Sequence, residues 1–152
     1  MPDISQGGIN FIKKEEGVRN TVYRDSRGLP TVGVGHLVRI ADNLSVGDTI
    51  TPQEVDTFLH DDLAWVVTAL TAHVTVDLNQ NQFDALCSLV FNIGERAFVH
   101  STVLACIQAS SFRKAADAFL MWKNAGGKPV LLARRERERA LFLSPVVVIT
   151  NT

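Results

Sequence analysis

The sequence predicts an α+β fold that is mainly helical, with one small antiparallel β element early in the chain. Three observations predict it. Apolar residues recur three and four apart over most of the length, the mark of helices with one buried face. Between residues 19 and 38 that spacing gives way to β-branched and aromatic residues around a glycine-containing turn. The whole chain is 152 residues, 46% hydrophobic and 20% charged, which suits one compact domain, or two small lobes on a shared core, and excludes a disordered or fibrous chain.

In chain order, Ile4, Ile9 and Ile12 with Lys13, Lys14 and Glu15 near the end predict a first helix that stops at Glu16, with Gly17 as its C-cap. Thr21-Val-Tyr23, the turn Asp25-Ser-Arg-Gly28 and Thr31-Val-Gly-Val-Gly-His-Leu37 predict a twisted hairpin. Its glycines at 28, 33 and 35 allow close approach of either a crossing strand or a ligand. Thr51-Pro-Gln-Glu54 supplies an N-cap, a proline at the first helical position and an acid at the third. Behind it Val55, Phe58, Leu59, Leu63, Val66, Val67 and Leu70 form one stripe, so a single long helix is expected over about 51–72.

Asn79 is the expected cap of a helix running to Ile93, stopped by Gly94. Further helices are expected from Ser101 to about Ala109, from Ser111 to about Trp122 and, after the break at Asn124-Ala-Gly-Gly-Lys-Pro129, from about Val130 to Phe142. Val146-Val-Val-Ile149 is strand-like in composition and reads as a terminal tail.

Composition removes several functions. Fifteen Lys and Arg against sixteen Asp and Glu leave a formal charge of −1, so the basic footprint of a nucleic-acid coat is missing. The longest apolar runs, such as Leu63-Ala-Trp-Val-Val67, are five residues, far short of the roughly 20 that cross a bilayer. The N-terminus shows neither a Sec-type signal peptide nor a signal-anchor, so synthesis in the cytoplasm and no membrane association are expected. Cys87 and Cys106 stand in apolar helical patterns and read as buried reduced thiols. His36, His60, His73 and His100 lack metal-ligand spacing, so no metal and no cofactor are expected.

The chemistry is concentrated around the hairpin. A glycosidic bond is cut by one carboxyl that donates a proton and another that activates water or attacks. Glu16, at a helix end that surrounding structure can bury and keep protonated, suits the first role. Asp25, opening the turn, suits the second, and Thr31 on the returning strand brings a hydroxyl beside it to orient water. Taken by themselves, an Asp in a turn and a Glu before a capping glycine are also ordinary structural choices.

Glu16-Gly17, Tyr23-Arg-Asp25, Gly28 and Thr31-Val-Gly-Val-Gly-His36 resemble the signature of the phage-type lysozymes, the endolysins of glycoside hydrolase family twenty-four. The resemblance continues through Gln82-Phe-Asp-Ala-Leu86, Phe91-Asn-Ile-Gly94, Ala97-Phe98, Ser101-Thr-Val-Leu104, Trp122 and Ala133-Arg-Arg135, to about Ser144. It implies Glu16 as the acid, Asp25 as the activating or stabilising carboxylate and Thr31 as the water-positioning hydroxyl. It implies hydrolysis of the β-1,4 bond between N-acetylmuramic acid and N-acetylglucosamine in bacterial peptidoglycan, leading to host cell lysis. It also implies a β-containing lobe over about 17–50, a linking helix over 51–72, a helical lobe over 73–144 that includes the first helix, and peptidoglycan lying between the lobes.

Asn92, Tyr23 and Gly35 resemble substrate-contacting positions. His36 resembles a histidine paired with an acid of the linking helix, here Asp61 or Asp62. One of Arg134 and Arg135 is expected near Glu15 and Glu16, the rest of the Arg134–Arg139 run being a solvated face with i, i+4 pairs. The implied partners are peptidoglycan and, for access to it, a holin; the implied state is a monomer. A lytic transglycosylase and a catalytically silent wall-binding module are the rival readings; Asp25 and Thr31 together favour hydrolysis. Many phage lysozymes are basic, so the charge of −1 predicts only modest salt dependence here.

Overall fold

A computed structural model describes residues 2–147. It contains two compact units, one formed by Ile9–Ala64 and the other by the residues before Ile9 together with those from Trp65 onward. Helix α1 (Gln6–Glu16) contributes to both, its first turn to the second unit and the rest to the first. That division differs from the expectation that the whole N-terminal helix belongs with the helical lobe.

The first unit is built on a three-stranded antiparallel sheet of β1 (Arg19–Arg24), β2 (Pro30–Gly33) and β3 (His36–Leu37), in that order. The expected hairpin is β1 and β2; the short β3 was not legible because two residues carry no periodicity. Tyr23 faces Thr31 and Arg24 faces Pro30, while the register shifts between Arg19 and Tyr23. Such an irregularity increases local twist. The outer edge of β1 is satisfied by residues 47–50: the Val22 N–H donates to the Asp48 carbonyl at 2.8 Å and the Ile50 N–H to the Asn20 carbonyl at 2.8 Å, so no open ladder is left there.

Ile9, Ile12, Val22, Val32, Val34 and Ile50 are buried beneath the sheet, with Val55, Leu59 and Leu63 closing the core. Removing Ile12 or Leu59 side chains to alanine is expected to cost about 2–5 kcal/mol through lost burial and the cavity left behind. Helix α1 ends where Gly17 adopts φ +82° and its N–H returns to the Lys13 carbonyl at 2.8 Å. A side chain there meets no atom within 4 Å, so the demand for glycine is conformational rather than spatial.

Helix α2 (Pro52–Asp62) begins with a reciprocal capping box: the Glu54 N–H donates to the Thr51 hydroxyl and the Thr51 N–H to the Glu54 carboxylate. The long helix expected over 51–72 is two helices, α2 and α3 (Ala64–His73). At Leu63, φ −85° and ψ −2° flatten the backbone, and its N–H is shared between the Leu59 and His60 carbonyls. The apolar stripe continues through the break because Leu63 itself is fully buried, which is why spacing alone reads as one helix.

The second unit adds α4 (Gln80–Ile93), α5 (Glu95–Val99), α6 (Thr102–Gln108), α7 (Phe112–Ala118), a 3-10 turn at Phe119–Trp122 and α8 (Leu132–Leu143). Asn79 and Ser101 cap α4 and α6 through their side-chain oxygens. The helix expected over 111–122 is α7 followed by the tighter 3-10 turn, and α5 was hidden behind Gly94. Helix α4 is more enclosed than a one-sided stripe implies, since every residue from Phe83 to Val90 is buried, including Asp84 and Ser88.

Polar groups in such a place need partners. Asp84 accepts from the Ser5 N–H at 3.0 Å, from the Gln80 amide at 2.9 Å and from the Ser5 hydroxyl. Gly8 lies against this carboxyl, where an added Cβ meets Asp84 at 2.7 Å and Ile4 at 2.6 Å. The first turn of α1 therefore approaches α4 more closely than any side chain permits. Val146 and Val147 are exposed; the remainder of the expected tail, Val148 and Ile149, lies outside the described residues.

Candidate active site

The turn between β1 and β2 organises the hairpin carboxylate. The Asp25 N–H donates to the Leu29 carbonyl at 2.9 Å and the Gly28 N–H to the Asp25 carbonyl at 2.8 Å, closing the turn. The Asp25 side chain reinforces it: Oδ1 accepts from the Arg27 N–H at 2.8 Å and from the Leu29 N–H at 2.9 Å. Asp is favoured at such a position because its short carboxylate reaches backbone N–H groups two and four residues on. The other oxygen, Oδ2, accepts from the Arg27 guanidinium at 3.2 Å. The Leu29 N–H foremost, then the Arg27 N–H and guanidinium, outweigh some desolvation and hold the Asp25 carboxyl below its ordinary value of 3.8. Asp25 is thus an anion at neutral pH.

Thr31 is buried on β2, and its hydroxyl donates to the Leu29 carbonyl at 2.9 Å. One peptide residue, Leu29, therefore orients both side chains, Asp25 through its N–H and Thr31 through its C=O. With its proton committed, Thr31 Oγ1 presents lone pairs. Tyr23, opposite Thr31, is half-buried beneath the Arg19 guanidinium, which sits 4.0 Å from the ring centroid. Gly35 is exposed between β2 and β3.

Glu16, the last residue of α1, is exposed, so the burial expected for it is not what the structure shows. Glu15 beside it is half-buried. His36 is fully enclosed: Nδ1 lies 2.8 Å from Asp62 Oδ2, Nε2 lies 2.8 Å from Asp42 Oδ2, and the ring stacks on Phe58 with centroids 4.1 Å apart. Of the two acids left open by the sequence, the pairing is with Asp62, whereas Asp61 is exposed. Asp42 was not expected. Burial pushes its carboxyl up, but the Arg39 N–H, His36 and the Arg39 guanidinium overcome this and hold it at about 2.

In the other unit Asn92 is exposed on the last turn of α4. Arg134 and Arg135 are buried on α8, not part of a solvated face. Both pair with buried Glu138, Arg134 Nε at 3.2 Å and Arg135 Nε at 2.7 Å, and the Ser88 hydroxyl donates to the same carboxylate at 2.5 Å. Burial pushes the Glu138 carboxyl up against the opposing pull of the arginines. Burial likewise pushes the Cys87 thiol up, which makes it inert as a nucleophile. Among the described residues no group of three or more His, Cys, Asp and Glu is placed to hold a metal ion.

Two contributors to the hairpin site were missed at the sequence level, the Leu29 peptide and Arg27. The Asp-x-Arg spacing was a readable signal for the second, because an acid that caps a turn two residues on faces that residue. Backbone groups carry no sequence signal of this kind.

Comparison with known proteins places these features in company. The phage lysozyme family model matches residues 13–138. An endolysin of Salmonella phage P22 is 53% identical over 95% of this chain and all of its own length, and a crystal structure of a P22 lysozyme variant superimposes with a TM-score of 0.91 at the same identity, over 95% of this chain and all of that one. An endolysin of Acyrthosiphon pisum secondary endosymbiont phage 1 is 42% identical over 93% of this chain and 98% of its own. The muramidase domain of SpmX from Asticaccaulis excentricus is 35% identical, with a TM-score of 0.80 over 95% of this chain and all of that one.

Proposed function

The chain belongs to the phage lysozyme family, hydrolases that degrade peptidoglycan, and from that premise we propose that Glu16, Asp25 and Thr31 cut the β-1,4 bond between N-acetylmuramic acid and N-acetylglucosamine. Glu16 gives its proton to the departing glycosidic oxygen as positive character grows on the sugar ring. Anionic Asp25 takes a proton from the attacking water, and Thr31 holds that water in place.

The observation that carries this reading is the double use of Leu29. Because Thr31 spends its proton on the Leu29 carbonyl, its oxygen accepts one water hydrogen while Asp25 accepts the other, which leaves a water lone pair free for the anomeric carbon. Attack from the face opposite the leaving group inverts the configuration, and an inverting pair of carboxyls stands about 6.5–9.5 Å apart, against about 5–5.5 Å in a retaining pair.

Kinship with endolysins supports the biological setting: accumulation in the bacterial cytoplasm, access to the wall once a holin opens the inner membrane, and action as a monomer that lyses the host. Asn92, Tyr23 and Gly35 are proposed substrate contacts.

The test is Glu16→Gln, measured by release of reducing ends from purified peptidoglycan in water enriched in heavy oxygen. Wild-type protein is expected to place the label on a new N-acetylmuramic reducing end, and the folded variant to release none. Turnover by folded Glu16→Gln removes the assignment, and an anhydromuramic end in place of the labelled one makes the enzyme a transglycosylase.

A further inference from the structure

The two oxygens of Asp25 are held in different ways. Oδ1 is saturated by two backbone N–H groups that belong to the turn itself. Among the described residues Oδ2 has one hydrogen-bond partner, the Arg27 guanidinium at 3.2 Å, and the pair is partly solvent-exposed: the Asp25 side chain keeps 18% of its exposure and that of Arg27 65%. A carboxylate that takes a proton from water uses the oxygen that water can reach, which here is Oδ2. Its lone pairs are then divided between Arg27 and the incoming water.

We propose that Arg27 is a positioning residue of the reaction, turning Asp25 Oδ2 toward the water held by Thr31. The proposal rests on the reading of Asp25 as the carboxylate that activates water. The two backbone bonds to Oδ1 restrain rotation of the carboxyl plane about the Cβ–Cγ bond from one end, and the guanidinium on Oδ2 restrains the same rotation from the other. An acceptor or an apolar side chain at position 27 leaves the plane held from Oδ1 alone, so that Oδ2 swings through a wider arc.

The charged groups about the turn are few. Arg24 on β1 is engaged with the Gly28 carbonyl at 3.1 Å, Glu16 closes α1, and β2 offers the neutral Thr31. The side-chain cation on the Asp25 carboxylate is therefore Arg27. Its charge also favours the anion, in the same sense as the backbone donors. Near pH 7 Asp25 is ionised with or without Arg27, so only orientation is at stake there; the charge effect emerges on the acid limb of the profile.

The experiment compares wild type, Arg27→Met, Arg27→Lys and Asp25→Asn on solubilised peptidoglycan strands, with kcat and KM taken from reducing-end release from about pH 2 to about pH 8, a range that spans the acid limb of a carboxyl held below 3.8. Arg27→Met is expected to lose about tenfold in kcat at pH 7, the order expected when a reacting group loses its alignment without leaving the site, with KM unchanged and the acid limb moved to higher pH. Arg27→Lys is expected to restore the acid limb, through its charge, and only part of kcat, since an ammonium lacks the planar fork. A raised KM with unchanged kcat makes Arg27 a substrate-binding residue and overturns the proposal, as does wild-type kcat with an unmoved limb. Appreciable turnover by Asp25→Asn instead overturns the reading of Asp25 itself. Thermal melts of each variant serve as the folding control, and an Arg27→Met protein that melts early yet keeps its kcat at low temperature also counts against the proposal.

Discussion

Asp25 and Glu138 are both carboxylates paired with arginine, yet the first is held below its ordinary value and the second is pushed above it. Asp25 sits on a solvent-facing turn, where two backbone N–H groups and one exposed guanidinium stabilise its charge and water supplies the rest. Glu138 is fully buried between Arg134 and Arg135, with Ser88 donating to it. Removing the ion from water there outweighs the nearby positive charge. The same pair of functional groups thus serves different ends. In the open turn it keeps a carboxylate ionised and reachable by a small molecule; in the core it joins α4 to α8 and is sealed from any substrate.

The sharpest way to break that contrast is to remove each acid in turn. Asp25→Asn is expected to lower reducing-end release at pH 7 by at least about 100-fold, the scale of a lost acid or base, while its melting temperature falls only slightly, because an amide oxygen at this position still accepts the Arg27 and Leu29 N–H groups. If the melt collapses with the activity, the turn is structural and the contrast fails. Glu138→Ala is expected to do the reverse: it strands buried guanidinium charge and costs about 3–5 kcal/mol in urea unfolding, with the specific activity of the folded fraction retained. Ser88→Ala, which deletes one donor to that carboxylate, is expected to cost about 1–3 kcal/mol by the same measurement.

Acidity separates the two sites more finely. A depressed Asp25 contributes stability above its unfolded value of 3.8 that disappears as pH falls through its folded value. Glu138 runs the other way: its contribution is complete below its unfolded value of 4.5 and declines as pH rises toward its folded value. The stability difference between Asp25→Asn and wild type is therefore expected to hold steady above pH 3.8 and to shrink below it, whereas Glu138→Gln flattens the decline above pH 4.5. Coincident profiles for the two variants count against the assignment of opposite shifts.

The smallest effect is expected from salt. The Asp25 and Arg27 pair is exposed and screened by added electrolyte, while the Glu138 cluster is shielded from it. Raising sodium chloride to 1 M is expected to bring the wild-type acid limb toward that of Arg27→Met and to leave the stability cost of Glu138→Ala unchanged. Equal salt sensitivity of the two sites is the contrary result.

Much of the first unit was legible because its determinants are local. The Asp25 turn, the Gly17 stop and the Thr51 cap each depend on groups no more than four residues apart, and residue type announces them. The proposed triad of Glu16, Asp25 and Thr31 rests on residue type and spacing and then on resemblance. Other features were out of reach. The break at Leu63 leaves the apolar stripe intact, so no periodicity betrays it. Asp42, which takes one nitrogen of His36, lies in a polar stretch like any solvated loop.

Arg134 shows the limit most clearly. Its neighbours alternate in charge through Arg139, a pattern that ordinarily marks a solvated helix face, yet it and Arg135 are buried against Glu138 and Ser88. Ser88 is 46 residues away from Arg134 in sequence, and nothing in a charge run reveals which of its members a distant helix will cover.

By itself the sequence determined the capped helix starts at Thr51, Asn79 and Ser101, the stop of α1 at Gly17, where the hairpin turns and which residue types stand at the turn, because caps and turns are settled by hydrogen bonds within a few residues. Only the tertiary structure decided which charges are buried and which acid meets His36, as well as the exposure of Glu16 and the placement of one peptide, Leu29, between Asp25 and Thr31. Burial and long-range pairing depend on the path of the whole chain, and it is burial that turns one carboxylate into a reachable anion and another into a sealed part of the core.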